Sequence, residues 1–220
     1  MTDLPKKKLR PFNGVKTTEK FVAFVDILGF GRQILNDFQN TLKIYTDILN
    51  STVIKYLQKD VSLQIYSDSF LLTSEKLGPL IGMCQALQWQ TLFNDCLVRG
   101  GIGFGKHIEI QKNNDFYVIS QALVQAVEVE KNIKFPCVAL HNNIVIPQKW
   151  WNPHVHPVER GLMFFEGIRL VSPFSIYWGE SAMVRVSNLK DDYPEHSEKY
   201  DWFLRLYDAA YNNGDPLVPS

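Results

Sequence analysis

The apolar run Phe21-Val22-Ala23-Phe24-Val25 ends on a carboxylate, Asp26, and a second run, Leu63 to Leu72, is broken by the polar centre Tyr66-Ser67-Asp68-Ser69. Runs this short, β-branched and aromatic read as buried strands. The fold therefore has to place two acidic side chains at the ends of core strands. A carboxylate drawn out of water by apolar neighbours is costly unless a cation or hydrogen bonds compensate it. One divalent cation shared by Asp26 and Asp68 would compensate both.

The rest of the composition narrows the class. With 220 residues, 45% of them hydrophobic, the chain has enough apolar surface for one sizeable core. Lys plus Arg equals Asp plus Glu at 23 each, so no global field steers the protein to nucleic acid or to anionic lipid. Cys84, Cys96 and Cys137 are odd in number and lack C-x-x-C spacing. They read as reduced core residues of a cytosolic protein rather than as a disulfide framework or a zinc ribbon. Lys6, Lys7, Lys8 and Arg10 lie between prolines with no apolar stretch behind them, which predicts a solvated, flexible leader over 1–14 and neither a signal peptide nor a nucleic-acid arm. No later segment approaches the length of a membrane span.

Residues 15–220 read as a single domain with its motifs between 21 and 141 and a C-terminal extension over 142–220. The strand Phe21 to Asp26 is followed by Gly29 and Gly31, suited to a tight strand-to-helix turn. A helix is predicted from about Arg32, with apolar positions at helical spacing to Leu57 and a break near Gln39 to Thr41. Val61 to Thr73 forms two strands joined by a hairpin with Asp68 at its tip. Gly78 to Asp95 reads as a helix, Leu97 to Gln111 as a strand, and Asn113-Asn114-Asp115 as a turn before Tyr117. Ser120 is placed to cap a helix through Val129, and Pro136 precedes a strand over Cys137 to His141. This order predicts an α+β, ferredoxin-like open sheet of βααββαβ type with helices on one face. In the extension, Met163 to Phe165 and Phe174 to Trp178 read as short strands. A last helix over Glu195 to Tyr211 aligns Tyr200, Phe203, Leu206, Tyr207 and Ala210.

The chemistry concentrates at Asp26-Ile27-Leu28-Gly29-Phe30-Gly31. A carboxylate at a strand end, two glycines and a helix start make a phosphate cradle with a metal ligand at its lip. Paired with Asp68, Asp26 offers the hard oxygens that Mg²⁺ or Mn²⁺ prefers, with phosphates completing the shell. Arg99 and Lys106 flank Gly100-Gly101-Ile102-Gly103-Phe104-Gly105 and are candidates for neutralising phosphate charge. The segment imitates a Walker loop, but His107 stands where Ser or Thr is required and a strand, not a helix, follows. Alternating glycines in a strand instead mark a close approach by another backbone or a ligand. His154 and His156 lack a third zinc ligand at matching spacing, His141 reads as structural, and no Gly-x-Ser-x-Gly elbow is present.

In that order, FVDILGF, YSDSF, VRGGIGFG and QALVQAVEVEK resemble the class III nucleotidyl cyclases, and FVDILGF with RGGI is most similar to the bacterial pyrimidine cyclases of Pycsar antiphage defence. The resemblance implies two Mg²⁺ or Mn²⁺ ions held by Asp26, the Ile27 carbonyl and Asp68. It also implies a homodimer with active sites at the interface, to which the aromatic C-terminal helix would contribute, and a separate effector reached through the cyclic nucleotide. Purine cyclases carry a base-selecting Lys and Asp where this chain has Gln64 and Tyr117, which favours a pyrimidine, CTP or UTP. The family's transition-state Asn and Arg fall on Val124 and Glu128, leaving Arg99, Lys106 or a partner residue to supply positive charge. Gly29, Phe30, Gln64, Arg99, Lys106 and Tyr117 are thus the expected substrate contacts, with Asp26, Asp68 and Arg99 as the catalytic set. A purine cyclase and an inactive cyclase-like binding module are the alternative readings.

Overall fold

The computed structural model describes residues 16–112, 115–213, 215 and 217–219; the expected leader lies outside them. In chain order the elements are β1 (Thr18–Ile27), α1 (Phe30–Asn36), α2 (Phe38–Asn50), α3 (Thr52–Leu57), β2 (Ser62–Tyr66), β3 (Ser69–Ser74), α4 (Leu77–Phe93), β4 (Val98–Lys112), β5 (Asp115–Ser120), α5 (Gln121–Asn132) and β6 (Val138–Leu140). The extension adds α6 (Pro157–Arg160), β7 (Leu162–Phe165), β8 (Ile168–Val171), α7 (Gly179–Asp192) and α8 (Ser197–Tyr211).

The strands form one sheet in the order β2-β3-β1-β4-β6-β8-β7, with β5 paired to β4. Its first four strands, β2-β3-β1-β4, are mutually antiparallel and carry the ferredoxin-like βαββαβ connection, as the sequence predicts. Alternation along β1 separates two faces. Ala23, Val25 and Ile27 join Phe70, Leu72 and Ile102 in the main core, which α1 to α4 cover with Phe30, Ile44, Ile48, Ile54, Leu80 and Leu87. Val22 faces the other way, where it packs with Leu71 and with Ala122 of α5. Helices therefore cover one face of the ferredoxin-like unit, and α5, outside that unit, lies on the other.

Three local expectations are corrected. The first helix starts at Phe30, and its breaks fall at Asp37, whose carboxylate caps α2 by accepting from the Asn40 N–H, and at Ser51. Phe174 to Trp178 is a turn rather than a strand. The strand is β8, joined to β7 by Glu166 and Gly167, both at positive φ (48° and 81°) as a two-residue hairpin of right-handed twist requires. The aromatic stripe of α8 is spent inside the chain: Tyr200, Phe203, Leu206 and Ala210 are buried in a second core with Trp202, Phe174 and α7. It is not available to a partner subunit.

Candidate active site

Asp26 sits one residue from the end of β1 on the α5 face, and its direct cross-strand partners are Ser69 of β3 and Arg99 of β4. The Ser69 hydroxyl donates to Asp26 Oδ1 at 3.2 Å. Asp68 occupies the tip of the β2–β3 hairpin, which turns through Ser67 at φ +53°. The Ile27 N–H donates to the Asp68 carbonyl at 3.0 Å, so the backbone itself ties the second acidic residue to the strand that bears the first. The structure thus brings Asp26, Ile27 and Asp68 to one mouth. The Asp26 carboxyl is pushed above its ordinary range by burial first and then by the Asp68 charge; the Ser69 bond opposes this, Glu130 adds to it and Arg99 opposes it.

A carboxyl with a raised folded-state pKa binds its proton more tightly in the native chain than in the unfolded one. Its stabilising contribution is full in acid and is lost as pH climbs from 3.8, the ordinary value, through the raised one. Asp26→Asn is therefore expected to melt above wild type at neutral pH in a chelating buffer. Thermal melts across pH should show the advantage shrinking towards about pH 4.

Glu130 is the site residue that sequence reasoning missed. It is only 6% exposed and takes Arg99 in a two-contact ion pair, Nε to Oε1 at 2.8 Å with Nη2 reaching the same oxygen. The packing explains how it arrives there. A Cβ on Gly103 would lie 2.1 Å from the Ala122 carbonyl and one on Gly101 2.1 Å from that of Ala126, so α5 rests directly on β4. Four residues of helix and two of strand advance the chain by nearly equal lengths, about 6 Å. The next step in this register, Glu130 over Arg99, is the ion pair. The close approach signalled by the alternating glycines is thus made by a backbone. Beyond the short β6, the Phe104 N–H donates to the Gln125 side chain of α5 at 3.1 Å.

Beside the carboxylates, Phe24, Tyr66, Ser69, Leu71, Val118 and Leu123 line an open cavity of about 380 Å³. Gln64 lies on this face of β2, where its Oε1 accepts from the Tyr66 hydroxyl at 2.7 Å. Three expected contacts are corrected. Lys106 is seven residues beyond Arg99, an odd count that puts it on the opposite face and about 23 Å along β4; it pairs with Glu19, not Asp26. Tyr117 alternates with Val118 on β5, and Val118 is the residue that lines the cavity. The Phe30 ring is fully buried against Tyr45, so only its backbone is open to a ligand. Gly29 takes φ +76° with open space where a Cβ would be, which makes it a turn glycine. Val124, 68% exposed, and Glu128 lie on the outward side of α5. His141 binds Asn143 within its own loop at 2.7 Å.

The donors at the mouth are two carboxylates and a backbone carbonyl, hard oxygens suited to Mg²⁺ or Mn²⁺. Among the described residues no group of three or more His, Cys, Asp or Glu could hold a metal. The excess of Asp26, Asp68 and Glu130 over Arg99 is an acidic surplus that a divalent cation would balance.

No protein-family model matches the chain, and no curated protein matches it. Among solved structures it is similar to a guanylyl cyclase, at TM-score 0.46 and 12% identity over 58% of this chain and 76% of that one. It is also similar to the adenylyl cyclase CyaB from P. aeruginosa, at 0.44 and 11% over 57% and 78%, and to adenylate cyclases from Trypanosoma brucei in their monomeric state, at 0.43 and 11% over 56% and 72% for one of them. Among the described residues no helix is long and apolar enough to cross a membrane.

Proposed function

We propose that the protein is a nucleotide cyclase that converts a pyrimidine nucleoside triphosphate, CTP or UTP, to its 3′,5′-cyclic monophosphate and pyrophosphate. The observation that carries this reading is the convergence of Asp26, Asp68 and the Ile27 backbone at one strand end, beside an apolar cavity with room for a flat ring. In this reading Asp26, Asp68 and the Ile27 carbonyl hold two divalent ions. When bound, these would supply the acidity that frees the ribose 3′-hydroxyl proton and the charge that balances departing pyrophosphate. The 3′ oxygen forms a bond to the α-phosphorus as the bond from that phosphorus to the bridging oxygen breaks, and the hydroxyl proton leaves to solvent. Ser69 holds the Asp26 carboxylate in orientation. Gln64 and the aromatic and aliphatic wall from Phe24 to Leu123 present one amide and apolar surface to the base, in place of the Lys and Asp of the purine enzymes.

Support for the pyrimidine and antiphage parts is the FVDILGF and RGGI wording, which also implies a separate effector for the product. A homodimer is part of the proposal. Tyr66 at the cavity and Val124, next to the cavity residue Leu123, are exposed apolar residues, and a second copy would cover them and bring further residues to the triphosphate. The capture of Arg99 by Glu130 favours one other reading, an inactive nucleotide-binding module, because the pair satisfies a cation otherwise free for phosphate.

The deciding experiment supplies ATP, GTP, CTP and UTP separately with Mn²⁺ and identifies products by mass. Cyclic CMP or cyclic UMP is expected. Preferential cyclisation of ATP or GTP removes the pyrimidine assignment, and no product from any of the four leaves the binding module.

A further inference from the structure

The β4–β5 hairpin carries a cluster of polar groups that the metal mouth does not use. Strand β1 begins at Thr18, opposite His107, and beyond that point, as far as Lys112, β4 pairs only with β5. A two-stranded ribbon on its own is marginal in water. This one is fastened at Glu109. A single carboxylate oxygen, Oε1, accepts from His107 Nε2 at 2.7 Å and from the Thr73 hydroxyl of β3 at 3.4 Å, and it pairs with Lys20 Nζ of β1 at 3.5 Å. His107 and Thr73 are both buried, so the fastening is largely shielded from water.

Strand β1 lies between β3 and β4, so the bond from Thr73 to Glu109 shows that the hairpin curls back over the α5 face of the sheet. The cross-strand partner of Glu109 is Val118, and Val118 is the hairpin's contribution to the wall of the cavity, with Phe24, Tyr66 and Leu71 among the other lining residues. Side chains directly opposite each other in an antiparallel pair stand about 5 Å apart on one face. Fixing Glu109 against β1 and β3 therefore fixes Val118 over the cavity. The Glu109 carboxyl lies below its ordinary range: burial raises it, but the His107 bond and Lys20 outweigh this, so the fastening is charged at neutral pH. Apolar contact is non-directional, whereas these charge-assisted bonds admit one placement of the hairpin.

We infer that Glu109 is a positioning residue of the candidate site: its carboxylate clamps the β4–β5 hairpin to β1 and β3 and so sets, through Val118, the width of the cavity that takes the base. The inference rests on the nucleotide reading of that site. It deepens that reading by assigning part of the base selection to a clamp outside the metal mouth, ten residues beyond Arg99 on β4. Held close, the wall suits a one-ring base; released, it gives way to a larger one.

The test uses titration calorimetry with Mn²⁺ and the uncyclisable α,β-methylene analogues of CTP, UTP, ATP and GTP, and with Mn²⁺ and inorganic tripolyphosphate, on the full-length protein and on Glu109→Ala, Val118→Ala and the double variant. For the analogue that wild type binds best, each single change should weaken binding by about five- to ten-fold, the effect of losing apolar contact equal to one or two methylene groups. The double change should be no more than about twofold worse than either single one, because both act on the same wall. Tripolyphosphate, which has no base, should bind all four proteins equally. The isosteric Glu109→Gln, which removes the charge, should fall between wild type and Glu109→Ala, and it carries the same comparison if the alanine variant does not fold. Losses that multiply in the double variant overturn the assignment, since Glu109 would then act elsewhere than through Val118. So does an equal loss for tripolyphosphate, the mark of a general structural role, and so does unchanged analogue binding on changing Glu109. A wild type that binds no analogue overturns it together with the nucleotide reading. A wild type that binds an analogue with the Glu109–Val118 coupling but cyclises none of the four triphosphates ends the cyclase reading alone.

Discussion

Asp26→Ala combined with Asp68→Ala is expected to abolish pyrophosphate release from every nucleoside triphosphate, a fall of at least about a thousand-fold, while the protein remains folded. The two halves of this result belong together. The carboxylates repel each other and Asp26 is partly desolvated, so their removal relieves a native-state cost instead of creating one. Ordinary core residues behave in the opposite way, losing stability when truncated. A coupled phosphate assay and a thermal melt on the same preparation settle the matter. Pyrophosphate release that survives the double change would disprove the cyclase reading, and a collapsed melt would show that the pair is structural.

Gly101→Ala is expected to be strongly destabilising for the addition of one methyl group. The new Cβ would lie 2.1 Å from the Ala126 carbonyl oxygen and 2.7 Å from Val129 Cβ, and neither is the end of a flexible side chain. Helix α5 would have to lift, breaking the Arg99–Glu130 pair and the Gln125 bond to Phe104. A cost of about 3 kcal/mol, or roughly 10 °C in melting temperature for a chain of this size, is in keeping with overpacking of this severity. Gly31→Ala is the matching control, since nothing lies within 4 Å of its Cβ and it sits inside α1. It should hold or gain about 0.5–1 kcal/mol. Equal melting of the two variants would show that α5 does not rest on β4 as described.

Which features could be read from the residues follows from how local their causes are. The hairpin tip at Asp68, the Ser120 cap, whose hydroxyl accepts from the Leu123 N–H, and the order of the ferredoxin-like strands all come from short-range patterns: alternation, turn chemistry and capping. The Glu130–Arg99 pair needs two patterns read together, glycines two apart on a strand and Ala122, Ala126 and Glu130 four apart on a helix. Neither pattern alone gives the register. Lys106 is near Arg99 along the strand but not in space, because an odd step turns its side chain to the other face. Phe174 to Trp178 looks like a strand by composition. Its large residues act instead as separate plugs, with Phe174 fully buried, Trp178 against Phe93 at 3.9 Å, and Tyr177 between them 92% exposed. Helix α7 buries Gly179, Ala182, Val186 and Leu189 at helical spacing, but two of the four are small, and at the first a Cβ would meet the Tyr211 ring at 2.3 Å.

The two acidic residues are anchored very differently. Asp26 belongs to a strand bonded along both edges, by β3 and by β4, whereas Asp68, tied to β1 through its carbonyl by the Ile27 N–H, sits in the turn of a hairpin whose outer strand, β2, ends the sheet. Strands paired on both sides open only with the global unfolding reaction, and edge hairpins open in smaller, more frequent excursions. In the proposed site one oxygen donor is accordingly a fixed post and the other a hinged arm. Differences in ion radius, and the change in charge as a ligand enters and leaves, would be absorbed by the arm, so amide exchange at Ser67 to Ser69 should respond to occupancy far more than exchange at Ala23 to Val25.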